Sequence, residues 1–185
     1  TQLEVNLPPE ARQKAALVHD ENAGNVLLFG GEGTLQLLDD IWIWDGEQQS
    51  WSEVLGLNDR PSKRKSAAAA YDPNSGHVLL FGGESSGGVL GDTWLWNGLE
   101  QKWTSKGALP GPSARAGAQI AYDGEQLVLF GGYTLSGGKR VPLGDTWLWD
   151  GEAWTQASPE QSPPPMYFGG MSYDGNTAIL FGGSL

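Results

Sequence analysis

Four short apolar runs punctuate the chain, and each closes on the same Phe-Gly-Gly tripeptide. The runs are Val26-Leu27-Leu28-Phe29, Val78-Leu79-Leu80-Phe81, Leu127-Val128-Leu129-Phe130 and Ala178-Ile179-Leu180-Phe181. Their phenylalanines lie 52, 49 and 51 positions apart. A run this short, bounded by glycines, reads as a strand covered on both faces rather than as a helix. After each of the first three runs comes an alternating stretch opened by aspartate: Asp40-Ile41-Trp42-Ile43-Trp44, Asp92-Thr93-Trp94-Leu95-Trp96 and Asp145-Thr146-Trp147-Leu148-Trp149. The period of two puts both indoles of a copy on one face of a strand. A further Trp follows each copy (Trp51, Trp103, Trp154), so the repeat uses all nine tryptophans. Before each apolar run stands another short strand ending in a turn signal: His19-Asp20, Tyr71-Asp72, Tyr122-Asp123 or Tyr173-Asp174.

Each unit therefore predicts four short antiparallel strands, A to D. In the third copy these fall near 118–123, 126–130, 146–150 and 153–156. Asp123-Gly124 and Asp150-Gly151 make tight hairpin turns, because glycine accepts a positive φ. A small sheet that is apolar on both faces must be sandwiched between copies of itself. A unit of about 50 residues with four strands is the signature of a β-propeller blade.

These residues resemble the kelch repeat: Gly-Gly closing an apolar strand, a variable connection, Asp-x-Trp, then a further Trp. The Pro-x-x-Arg before strand A (Pro61 to Arg64, Pro112 to Arg115) also fits, and the resemblance spans essentially the whole chain. It departs at Pro163-Pro164-Pro165-Met166, where the last copy lacks the arginine, at His19 in place of a tyrosine, and at Trp44, Trp96 and Trp149, where the family often has Tyr. The expected architecture is all-β: one kelch-type β-propeller unit over residues 1–185, with repeats near 13–57, 65–108, 116–157 and an incomplete 168–185. Residues 1–6 align with 104–109, just past a strand D, so the reading is three full blades with partial blades at both ends. The resemblance implies six or seven blades in a closed ring. Completion is left open among further blades of the same protein, a homo-oligomer and a small four-bladed ring.

Strand order sorts the connections onto two faces. The A–B and C–D turns are short. The B–C and D–A connections are long: 7–14, 32–40, 55–66, 84–92, 106–116, 133–145 and 157–168. Those long segments hold ten of the eleven basic residues but nine of the twenty-two acids, so that face is near neutral and the remainder strongly acidic. Variable connections on a rigid scaffold are where binding residues concentrate.

The net charge of −11 and a pI near 4.4 exclude general nucleic-acid binding, which needs a cationic surface. Apolar runs of four or five residues are far short of the roughly 20 that span a bilayer as a helix. With no cysteine, thiolate metal sites and a Cys nucleophile are excluded. His19 and His77 sit in different repeats, and no P-loop or nucleophile-elbow motif occurs. No cofactor, metal site or catalytic residue is expected, and the reading leans away from an enzyme.

Candidate contacts lie on the long-loop face. Arg12, Arg64 and Arg115 recur one per blade just before strand A and are expected at the mouth of the central channel. There each could fork onto a carboxylate of a partner, or instead tie its own blade to a carbonyl or acid. The longest B–C connection carries Tyr133, Lys139 and Arg140 around flexible Gly137-Gly138, and Tyr167 lies in the last D–A loop beside Phe168. The aspartates before the Trp pairs are expected to bond nearby backbone amides. The function expected is a non-catalytic scaffold holding a protein or acidic peptide. The alternative is a sugar-binding or sugar-active propeller, mutarotase-like or galactose-oxidase-like, using the same face.

Overall fold

The alternating pattern folds as expected. The computed structural model describes residues 8–107 and 109–185, and among these there is no helix. The reading of residues 1–6 as the tail of a preceding blade falls outside the described residues. The first sheet runs in the order β1 (Ala16–Asp20), β2 (Asn25–Glu32), β3 (Leu37–Asp45), β4 (Ser50–Glu53). The second repeats it with β5 (Ala68–Asp72), β6 (His77–Ser85), β7 (Gly88–Asn97) and β8 (Lys102–Ser105). The third pairs β9 (Gln119–Tyr122), β10 (Leu127–Phe130), β13 (Thr146–Trp149) and β14 (Trp154–Ala157). A separate ribbon of β11 (Tyr133–Ser136) and β12 (Lys139–Pro142) is inserted between its second and third strands. A final hairpin, β15 (Tyr167–Tyr173) with β16 (Ala178–Ser184), begins a fourth unit. Register repeats with the sequence: Phe29 opposes Ile41, Phe81 opposes Thr93 and Phe130 opposes Thr146.

The core lies between sheets. Leu27 and Phe29 on the forward face of the first blade pack with Val78, Leu80, Trp96 and Trp103 on the rear face of the second. Leu79 and Phe81 repeat this against Leu127, Leu129, Trp149 and Trp154 of the third. The Phe29 ring meets Trp103 edge-on at 5.4 Å and 64°, and Phe81 meets Trp154 with the same separation and tilt. Such aromatic pairs contribute about 1 kcal/mol beyond the area they bury. Small residues stand just before the innermost strands (Ala15, Ala67, Ala118) and within the last of them (Gly169), which lets the four units converge where the radial arrangement is tightest.

The B–C connections of the first two blades are not loops. β2 and β3, and β6 and β7, continue past the Gly-Gly as hairpin ribbons, with a register shift between Phe29 and Gly31 and between Phe81 and Gly83. The cause is local. Gly30 and Gly82 have φ of 62° and 64°, and Gly31 and Gly83 have φ of 103° and 104°. That bends the strand and turns the second glycine amide toward the next blade: Gly31 donates to the Arg64 carbonyl and Gly83 to the Arg115 carbonyl, each at 2.9 Å. A Cβ on Gly30 would stand 2.8 Å from the Arg64 carbonyl oxygen. In the third blade the ladder breaks there, and Tyr133–Pro142 forms the separate ribbon. Its Gly137-Gly138 turn, expected to be flexible, is a tight turn with both φ positive.

A second backbone thread runs around the axis. Ser66 donates to the Lys14 carbonyl, Gly117 to that of Ser66, and Phe168 to that of Gly117, at 2.8–2.9 Å. All four residues have φ between 55° and 64°. Three of them are not glycine, so the inter-blade bonds hold a conformation that costs side-chain-bearing residues on the order of 1 kcal/mol each.

Gly82→Ala is expected to lower stability by about 2 kcal/mol, because the new methyl would run into the Arg115 carbonyl at a positive φ. Gly170→Ala, whose Cβ would meet nothing nearer than 4.0 Å, is expected to change it by less than about 0.5 kcal/mol. Urea unfolding midpoints of the two variants check this.

Candidate functional site on the long-loop face

The long connections share one face, as expected: isolated bridges join D–A to B–C segments at Gln13–Glu32, Lys65–Glu84 and Ala116–Tyr133. The recurrent arginines, however, do not ring the channel mouth. Each reaches into its own blade and clamps the aspartate that opens strand C. Arg64 Nη1 and Nη2 donate to the two carboxylate oxygens of Asp92 at 2.7 and 2.8 Å. Its other three N–H groups go to the Gly82 carbonyl and to the Ser62 carbonyl and hydroxyl. Arg115 does the same with Asp145, the Gly131 carbonyl and Ser113. All five donors of each guanidinium are engaged inside the fold, and both residues are buried. Arg12 forks onto Asp40 at 2.6 and 2.8 Å and bonds the Gly30 and Glu10 carbonyls.

The aspartates were expected to bond nearby amides, but they serve these arginines and also accept the indole N–H two residues on: Trp42, Trp94 and Trp147, at 2.6–2.8 Å. Burial opposes ionisation of Asp40, Asp92 and Asp145, yet the arginine and indole hydrogen bonds outweigh it and hold all three below the usual aspartate value. The signal for this pairing was present in the sequence. Arginine and aspartate recur together at separations of 28, 28 and 30.

The channel mouth is lined instead by Lys14, Ser66, Gln119 and Phe168 around a cavity of about 140 Å³. Outward from it runs a chain of charges crossing blades. Glu32 accepts from Lys65 at 2.6 Å and lies 3.5 Å from Lys14, and Lys65 also stands 4.0 Å from Glu84. The Tyr133 hydroxyl donates to Glu84. Burial and that carboxylate push the Tyr133 hydroxyl up to about 12, so it remains a donor at neutral pH.

Three of the expected contact residues do come together. Tyr133 packs edge-on against Tyr167 and Phe168, with centroids 5.2 and 5.7 Å away, and those two rings meet at 5.3 Å. The Arg140 guanidinium lies 4.7 Å from the Tyr133 centroid, 5.4 Å from that of Phe168 and 5.8 Å from that of Tyr167. Lys139 is exposed beside it at the ribbon turn. Of the five arginines, Arg140 alone has no carboxylate partner among the described residues. Gly117 makes this packing possible, since a Cβ there would press on the Phe168 ring at 2.7 Å. Among the described residues, no group of three His, Asp or Glu could hold a metal ion.

Comparison with known proteins follows the same repeat. A family profile described as the KLHDC2/KLHL20/DRC7 Kelch-repeats domain matches residues 2–183. The chain is 28% identical over 192 residues to adagio-like protein 2 of Oryza sativa subsp. japonica, covering 89% of this chain and 29% of that protein. It is 31% identical over 151 residues to multiple epidermal growth factor-like domains protein 8 of Homo sapiens, covering 77% and 5% respectively. It is 33% identical over 134 residues to tRNA wybutosine-synthesizing protein 4 of Emericella nidulans, covering 68% and 12%. The chain spans less than a third of the length of each.

Two predictions follow from the arginine–aspartate clamp. Arg64→Met, which copies the natural Met166, is expected to cost about 2 kcal/mol in urea unfolding, allowing for the solvent access of Asp92, and Arg64→Lys is not expected to restore it, since lysine cannot fork. The pH dependence follows from the depressed carboxyls. A group whose folded-state pKa lies below its unfolded value near 3.8 adds stability above that value and loses it as pH falls through the folded one. The melting temperature is therefore expected to fall steeply below about pH 4, and Arg64→Met is expected to flatten that acid limb.

Proposed function

Because the chain belongs to the kelch-repeat family, we propose that it is a non-catalytic binding scaffold that grips an acidic segment of a protein partner on its long-loop face. The observation that carries this reading is Arg140, an exposed guanidinium over three aromatic rings with no carboxylate partner among the described residues. A planar cation stacked on rings has given up much of its rotamer freedom, so it loses little more on meeting a carboxylate. Lys139 adds a second charge at the ribbon turn, while Tyr133 and Tyr167 fix the position of the guanidinium. Arg12, Arg64 and Arg115 serve indirectly, by anchoring the D–A connections that the contact surface is built on. A sugar site, by contrast, calls for an open aromatic face beside a carboxylate, and here the ring that meets a carboxylate, Tyr133 with Glu84, is buried.

The test is fluorescence anisotropy with a labelled hexaglutamate peptide. Lys139→Glu with Arg140→Glu is expected to weaken binding at least about tenfold with the melting temperature unchanged, and added salt is expected to weaken wild-type binding. Lys102→Glu, on β8, is expected to leave it unaltered. Equal affinity of wild type and the double variant would remove this surface from the proposal.

A further inference from the structure

The three C–D turns share one design with one exception. Each opens on a side chain whose Oδ1 accepts the main-chain amides two and three residues on. Asp45 accepts from Glu47 and Gln48, and Asp150 from Glu152 and Ala153, at 2.8–2.9 Å. The second blade makes the same two bonds with an asparagine: Asn97 accepts from Leu99 and Glu100, each at 3.1 Å. Gly98 follows it, and this is the only Asn-Gly pair in the sequence. Packing makes the glycine obligatory, because a Cβ at position 98 would run into the Asp20 carboxylate and the Ala23 methyl of the first blade. The dipeptide thus stands where the turn needs a side-chain acceptor and the neighbouring blade leaves no room for a side chain.

We propose that Asn97 is a site of spontaneous modification, at which the folded turn closes a succinimide on itself without an enzyme. The Gly98 nitrogen gives up its proton to solvent base and attacks Asn97 Cγ. The new N–Cγ bond forms, the Cγ–Nδ2 bond breaks, and Nδ2 takes a proton from solvent and leaves as ammonia. Water then adds to one of the two ring carbonyls and opens the ring, leaving an α-linked aspartate or a β-linked isoaspartate. No electrons change hands. Three features of the turn favour the first step. The bond from Leu99 folds the asparagine side chain back along its own main chain, and the Gly98 nitrogen lies within the ring that this bond closes. The Leu99 and Glu100 amides already point at Oδ1, the oxygen on which negative charge develops as Cγ becomes tetrahedral. The Gly98 amide donates to no acceptor among the described residues, and no Cβ shields it. The α-linked product is the residue that the first and third blades already carry, and its carboxylate finds the same pair of amides. The β-linked product lengthens the main chain by a methylene in a turn fitted against Asp20. The turn lies on the short-turn face, so its test does not depend on peptide binding.

The test is peptide mass spectrometry on the folded chain, kept for several days in native buffer at about pH 8.5 and at about pH 6. Asn97 is expected to gain about one mass unit, with ammonia released in equal amount, at least about tenfold faster than Asn22, Asn25, Asn58, Asn74 or Asn176. The gain is expected to be at least about tenfold faster at the higher pH, since the attacking nitrogen must lose its proton. Asn97→Gln, which would have to close a larger ring, is expected to stay intact. A folded chain that keeps Asn97 while the urea-unfolded chain converts it would overturn the proposal. So would conversion no faster than at the other asparagines, or conversion equally fast at both pH values.

Discussion

A four-stranded sheet that is apolar on both faces cannot stand alone in water, and nearly everything else in this chain answers to that constraint. The indoles, the Phe of each strand B and the small residues of the inner strands all serve to lay one sheet against the next. Burial of the tryptophans at positions 96, 103, 149 and 154 supplies the hydrophobic term. The two backbone threads then set the angle between blades. They bond glycine amides after the Phe to the following unit's D–A segment, and one left-handed residue to the next around the axis.

The arginine clamp belongs to this scheme rather than to recognition. Long surface connections ordinarily carry few internal constraints. Here a buried guanidinium with all its donors filled ties each D–A segment to strand C of its own blade, and the main chain at the same residue accepts a bond from the blade before. One residue thus links two neighbouring sheets. That leaves the outer ribbon of the third blade to differ from its counterparts. Where the first two blades place Glu32 and Glu84, the third places Tyr133, and around this exchange the aromatic cluster and the stacked Arg140 assemble.

Strand order and the packing of Trp96, Trp103, Trp149 and Trp154 between sheets were legible in the sequence because they depend on period and spacing alone. The convergence of Tyr133, Arg140 and Tyr167 was legible only as membership of one face. Their contact depends on the ribbon being ordered, and glycine content alone suggested the opposite. Gly137-Gly138 makes a tight hairpin turn, so a stretch that composition marks as loop is a paired two-stranded ribbon. Recurrence alone leaves the arginines two roles, a partner's carboxylate at the channel mouth or a tie within the blade, and the hydrogen bonds are those of the tie. The regularity that distinguishes the tie is their near-constant separation from Asp40, Asp92 and Asp145, at 28, 28 and 30 residues. The lopsided charge also has a structural cause that composition hides. On the short-turn face Asp45, Asp123, Asp150 and Asp174 each accept two backbone amides, so part of the acidity there is hairpin architecture.

Met166 occupies the place of the clamping arginine in the last unit. Its amide and carbonyl make the same main-chain bonds as those of Arg64 and Arg115, to Leu143 and from Gly132. Its thioether cannot fasten the segment from the side. The third connection is therefore held by main-chain bonds and by the packing of Tyr167 and Phe168 on Tyr133, with no side-chain clamp at position 166. The aromatic surface against Arg140 is carried on a segment without that side-chain clamp, so the long-loop face combines clamped connections with one held by main-chain bonds and ring packing.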